Sequence, residues 1–222
     1  MTTKIILTRH AHVEGIKPRR FRGRADVPLT QLGMTQAKVT AMRIAAAWQP
    51  IAVYSSPLKR CMRTATAIAE VCEASSGPLE ALNDLDYGAW QWKTHAEITK
   101  DFHEEYEAWR TTPHRFRFPG GESLQDIVTR TAGALRLVLQ RHRDETVVLV
   151  SHYSVNRALF IQILDQPLSA YWRLVFEPCG ISEIDFTDDV PWVLRINETF
   201  HMAAIGEEAV LRPPGVLGRV IQ

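Results

Sequence analysis

Two arginines and two histidines sit at equivalent places along the chain, each just past a short apolar run. Arg9 and His10 follow Lys4-Ile5-Ile6-Leu7-Thr8, and Arg60 comes shortly after Ile51-Ala52-Val53-Tyr54 and Ser55-Ser56-Pro57. Ser151 and His152 follow Val147-Val148-Leu149-Val150. Runs of this length and composition read as strands buried on both faces of a parallel sheet. Ligands of open α/β sheets bind in the crevice outside the carboxyl ends of the strands. The four side chains are therefore expected to converge there. Guanidinium forks match phosphoryl oxygens two at a time, and a neutral imidazole can act as nucleophile or base. The chemistry that fits is attack on, or proton transfer around, an anionic substrate.

The elements that must position these groups follow from the punctuation between the runs. Thr30 is placed to cap a helix over 30–47, with Leu32, Ala37, Met42 and Ile44 among its apolar positions and Gly33 lowering its propensity slightly. Pro57 suits a first helical turn, and the helix it opens is expected to run to about Glu73, broken by Ser75-Ser76-Gly77-Pro78. The stretch 82–119 is less regular and holds a polar helical patch over 94–109. It reads as an excursion from the sheet that covers the crevice. Ser123 and Asp126 resemble a capping box for a helix to about Arg141. A strand over 146–150 and a helix over 154–164 come next. Two late strands are expected over 181–186 and 192–196, joined by Thr187-Asp188-Asp189-Val190-Pro191. The tail after Gly206 reads as irregular. Alternating strands and helices argue a three-layer α/β/α sandwich with a mostly parallel central sheet.

The bulk properties narrow the partners. The chain has 222 residues, 45% of them hydrophobic, which suits one domain over 1–222 with 82–119 as its covering insertion. A net charge of +1 gives no reason to expect nucleic acid or membrane as partner. Cys61, Cys72 and Cys179 form no CxxC pair, so neither a zinc site nor a disulfide framework is expected. With no visible signal peptide, a cytoplasmic monomer or homodimer is the expectation.

Arg9-His10-Ala11 resembles the Arg-His-Gly signature of the histidine phosphatase superfamily, which includes the cofactor-dependent phosphoglycerate mutases. The likeness continues in order through the segment 22–33, through Ser55-Ser56-Pro57-Leu58-Lys59-Arg60 with Thr64-Ala65, and through the segment 82–90. Pro119-Gly120-Gly121-Glu122-Ser123 resembles a stretch common in its phosphatase members, and Ser151-His152 resembles the second histidine. The resemblance implies a phosphoglycerate mutase-like fold and a metal-independent phosphomonoesterase with no cofactor. His10 would form a phosphohistidine. Arg9, Arg60 and His152 would stabilise the phosphoryl group, with Arg22 and Glu122 among the phosphate-binding residues. Asp84 would protonate the leaving group, at a position where the family usually has glutamate, with Asp86 and Glu122 as competitors. The substrate class implied is a small phosphorylated metabolite, a sugar phosphate or a nucleotide-like phosphate such as α-ribazole phosphate.

Other readings stay open at this level. A phosphoglycerate-type mutase would use the same residues. His10-Ala11-His12 has the spacing of two metal ligands in a metal-dependent hydrolase, although Arg9 beside a dication would be repulsive. A phosphate-binding protein without catalysis is a further possibility, supported by Asp84 in place of glutamate. His12 is a solvent-facing loop residue or a tuning group. The five basic residues between Lys17 and Arg24 form a solvated loop or steer an anion. Trp90, Trp92 and Trp109 belong to the core or present a ring to the substrate.

Overall fold

The computed structural model describes residues 1–16 and 18–205, and the tail after Gly206 lies outside them. Six strands form one sheet: β1 (Thr2–Arg9), β2 (Ala52–Ser55), β3 (Ser75–Pro78), β4 (Thr146–Ser151), β5 (Ile181–Thr187) and β6 (Val190–Glu198). Their order is β3-β2-β4-β1-β5-β6. The first four strands pair in parallel, and β5 and β6 add an antiparallel edge.

Alternating side chains send the sheet's apolar residues to two cores. Ile6, Val53, Val148 and Val150 pack against α1 (Gln31–Trp48) and α2 (Lys59–Cys72). Ile5, Leu7, Val147 and Leu149 face the opposite way and share the larger core with α5 (Leu124–Arg141) and α6 (Tyr153–Ile163). Burial of this layered apolar surface is the main favourable contribution to the fold, at roughly 25 cal/mol per Å². The expected three-layer α/β/α sandwich is what the structure has.

Local signals explain most boundaries. Thr30 caps α1 through the Gly33 amide, and α1 buries Gly33, Ala37, Thr40, Ala41 and Ile44 at helical spacing. Ala41 takes the inward place expected of Met42, which is 56% exposed. A Cβ on Gly33 would lie 2.2 Å from the His12 carbonyl, so glycine allows α1 to close on the loop that follows β1. Ser123 and Asp126 do form the capping box of α5. Asp188 and Asp189 join β5 to β6 with φ of 50° and 66°, the left-handed pair that a two-residue hairpin turn demands.

Three expectations need correction. Ser75-Ser76-Gly77-Pro78 does not merely end a helix; it is β3, paired in parallel with β2. An edge strand needs only one partner, so it tolerates glycine and a terminal proline. Pro57 lies before α2, which starts at Lys59 after an extended Leu58. The polar patch over 94–109 is two helices, α3 (His95–Asp101) and α4 (His103–Thr111), which meet at a non-helical Phe102.

Candidate active site

The parallel pairing of β1 with β4 sets Arg9 opposite Ser151. The next residues, His10 and His152, therefore emerge side by side, with ring centroids 5.3 Å apart and planes tilted by 60°. β2 delivers α2 on the other flank of β4, and Arg60 lies in the first turn of that helix. Asp84 arrives from the loop after a 3-10 turn, Glu80–Leu82.

These groups form one network. Arg60 donates to the carbonyls of Ala25 at 2.7 Å and Gly23 at 2.6 Å, and to Asp84 Oδ2 at 3.1 Å. Asp84 Oδ1 accepts a short hydrogen bond from the Ser154 hydroxyl, and Oδ2 lies 3.5 Å from His152 Nδ1. Arg9 donates to the Phe176 carbonyl at 2.9 Å. The Ala11 amide donates to Thr64 Oγ1 at 3.1 Å, which ties the loop after His10 to α2. Arg22 is held by a bond to the Gly15 carbonyl at 2.8 Å.

The tautomer of His10 follows from its partner. Its Nδ1 lies 2.7 Å from the Ala11 carbonyl. A carbonyl can only accept, so Nδ1 carries the proton and Nε2 presents its lone pair. Burial, then the charges of Arg60 and Arg9, holds the His10 pKa well below the usual histidine value. The same causes act on His152. Both rings are neutral at pH 7. Burial, with Arg9 and Arg60 nearby, pushes the Arg22 guanidinium down to about 9, still cationic at neutral pH. Among the described residues, neither Arg9 nor Arg22 forms an ion pair with a carboxylate. Cations buried together with so little neutralising charge are costly, and a bound dianion would relieve that cost.

A pocket opens over this network, lined by Arg9, His10, Arg22 and Asp84 together with Ser154. Arg60 and His152 are fully buried and join it from inside, through Asp84 and the His10 ring. Arg19, Arg20, Arg110 and Arg157 also line it, so among the described residues it has six arginines against a single carboxylate, Asp84. Its outer wall is aromatic and includes Tyr106 and Trp109 of α4 with Tyr153, Tyr171 and Trp172.

Not every expected residue comes to this place. Glu122 does not line the pocket. Its carboxylate accepts from the Asp86 amide at 3.0 Å and from Arg130 at 3.0 and 3.1 Å, and Arg24 lies 3.3 Å away. Arg130 also donates to the carbonyls of Ala81 at 2.6 Å and Asp84 at 3.2 Å. Glu122 thus braces the backbone that carries Asp84, where its charge is compensated; beside a phosphoryl group it would repel. Asp86 turns to the Gly88 amide at 2.9 Å. His12 is not part of the lining: its Nδ1 lies 2.8 Å from Thr30 Oγ1 and its amide donates to Gln36. Among the described residues, no group of three or more His, Cys, Asp or Glu side chains gathers as metal ligands would. Trp90 is fully buried, Trp92 is partly exposed, and of the three tryptophans Trp109 alone lines the pocket.

Four contributors went unread in the sequence: Ser154, Arg130, Tyr153 and Arg157. Ser154 and Arg157 carried a faint signal, as polar residues two and five positions after His152, with Asn156 beside them in a helix that is mostly apolar.

Residues 5–199 match the family model described as the histidine phosphatase superfamily (branch 1). The chain is 33% identical over 206 residues to Phosphoserine phosphatase 1 of Hydrogenobacter thermophilus, covering 93% of this chain and 97% of that one. It is 32% identical over 220 residues to a probable phosphoglycerate mutase, GpmB, of Proteus mirabilis, covering 94% and 99%. Among solved structures, YhfR of Bacillus stearothermophilus superposes with a TM-score of 0.86 at 27% identity, covering 90% of this chain and 99% of that one.

Proposed function

Because the chain belongs to the histidine phosphatase superfamily and is a phosphatase of that family, we propose that it hydrolyses a small phosphomonoester through a phosphohistidine on His10. The observation that carries this reading is the His10 tautomer: Nδ1 is committed to the Ala11 carbonyl, and Nε2 is free, neutral and set among buried arginines.

The reaction then has two halves. His10 Nε2 forms a bond to phosphorus as the ester P–O bond breaks, and the departing oxygen takes a proton from Asp84. Water then attacks phosphorus, gives its proton to Asp84, and the P–N bond breaks to release phosphate and neutral His10. Phosphoryl transfer asks mostly for positioning and charge stabilisation. Arg9, Arg22 and Arg60 supply both, and His152 adds an N–H. Asp84 lines the pocket beside the buried arginines, where it can hand a proton to the departing oxygen and take one back from water. Ser154 and the Glu122–Arg130 brace keep that carboxylate in place. The segment 82–119 contributes Asp84, Tyr87, His95, Tyr106, Trp109 and Arg110 to the lining, and we read it as the cover of a single-domain enzyme.

A sugar phosphate or a nucleotide-like phosphate such as α-ribazole phosphate remains a reading of the substrate. A screen of phosphorylated metabolites with purified protein in EDTA, read as released phosphate, tests the function. Turnover should survive chelation and be inhibited by vanadate; turnover that requires added zinc or manganese would replace this mechanism. The likeness to the GpmB relative supports a second reading, a mutase. Labelled phosphate recovered in a second hydroxyl ester rather than as inorganic phosphate would favour it.

A further inference from the structure

We propose that the pocket wall around Arg157 is a subsite for a second anionic group on the substrate's alcohol, a carboxylate or a second phosphate, and that it selects such alcohols over neutral or ammonium-bearing ones. The proposal rests on the phosphatase reading of the same pocket.

Arg157 lies in the largely buried helix α6 and is itself fully buried, yet lines the pocket. Its Nε donates to the Leu174 carbonyl at 2.7 Å, and Nη2 donates to the Tyr153 hydroxyl. Nη1 has no hydrogen-bond partner among the described residues. Among the described residues, no carboxylate pairs with this guanidinium. A buried cation left this way is costly unless an anion completes it. By contrast, Arg20 lies 3.8 Å from Glu97 and Arg110 lies 2.7 Å from Glu107.

The surroundings aim Arg157 rather than neutralise it. Its guanidinium lies 3.9 Å from the Tyr153 ring centroid, 4.9 Å from Trp172 and 5.0 Å from Tyr171, contacts that fix the plane of the fork. Arg9, of the phosphoryl site, lies 5.2 Å from the same Tyr153 ring. Both guanidiniums thus contact the same ring, close enough to each other for an alcohol of a few atoms to carry an anion to each. An ammonium group would fare worse. The one carboxylate of the lining, Asp84, is already engaged by Arg60 and Ser154.

The test compares kcat/KM within matched pairs. 3-Phosphoglycerate against glycerol 3-phosphate reads a carboxylate, and glucose 1,6-bisphosphate against glucose 6-phosphate reads a second phosphate. O-Phosphoserine adds the ammonium, and p-nitrophenyl phosphate reports the chemistry alone. At least one partner that carries the second anionic group should be preferred by about tenfold or more, the lower range for a hydrogen bond to a charged group. Phosphoserine should fall below 3-phosphoglycerate. Arg157→Gln should collapse the preferred ratio toward one, and Arg157→Lys should restore it in part. Neutral partners turned over as fast as anionic ones by the wild-type enzyme would overturn the subsite, and this comparison needs no variant to fold. A ratio that survives Arg157→Gln while all rates fall together would also overturn it, since that is a structural role. If p-nitrophenyl phosphate too is inert, the phosphatase reading itself has failed.

Discussion

The floor and the wall of the pocket are built by different means. The floor takes Arg9, His10 and His152 from adjacent parallel strand ends, where strand register fixes their spacing, and Arg60 from the first turn of α2. Its cations are anchored by backbone carbonyls: Phe176 for Arg9, Ala25 and Gly23 for Arg60, Gly15 for Arg22. The wall comes from α4, α6 and the 3-10 segment Leu168–Arg173, and its groups are aligned mainly by ring contacts and by pairs such as Tyr153 with Arg157, which has one carbonyl anchor at Leu174. We read the floor as setting the reaction and the wall as setting the alcohol.

If that division is right, floor substitutions should depress every substrate. The largest effect is expected for His10→Ala. Removing the proposed nucleophile should lower kcat by about 10⁴-fold or more, judging by nucleophile deletions in other enzymes. Rapid-quench labelling should show an acid-labile, base-stable phosphoryl group in the wild type and none in the variant; a label that persists would place the nucleophile elsewhere. Arg60→Ala comes next. Losing one preorganised charged donor should cost roughly 10²–10³-fold in kcat, with weaker vanadate inhibition, and Arg60→Lys should recover only part because a point charge cannot grip two oxygens.

Asp84 stands where floor meets wall, and its removal should depend on the leaving group. Asp84→Asn should slow alkyl phosphates by roughly 10²-fold or more while costing p-nitrophenyl phosphate far less, since a good leaving group departs without a proton. Equal losses on both esters would move the acid role away from Asp84. The smallest effect concerns stability. His10 and His152 resist protonation in the folded protein, whereas unfolded histidine accepts a proton near pH 6.5. Stability is therefore fully present above that value and falls as pH drops below it, by up to about 1.4 kcal/mol per pH unit for each ring. Denaturant melts between pH 7 and 5 should show a steeper acid slope for the wild type than for His152→Ala.

The same division governs what could be read from the sequence. Strands and their terminal residues are local patterns, so Arg9, His10, Arg60 and His152 were legible, and register did the rest. Asp84 was legible through its motif. Glu122 was placed in the right neighbourhood but given the wrong partner, because its bond to Arg130 joins residues whose closeness depends on how α5 lies against the 80s loop. Arg157 looked like one polar residue in a helix; only packing against three rings shows what surrounds it. Strand β3 was missed because an edge position, set by the neighbouring β2, overrode a composition of serine, glycine and proline.

The register between β1 and β4 also has a kinetic meaning. His10 and His152 become neighbours only when two strands more than a hundred residues apart in the chain zip together, a step of high contact order and correspondingly slow. No fragment ending before β4, and no intermediate with that seam unzipped, holds the two rings together. Recovery of turnover after dilution from denaturant should therefore lag behind the return of helical signal, which makes catalysis itself a clock for closure of the central seam.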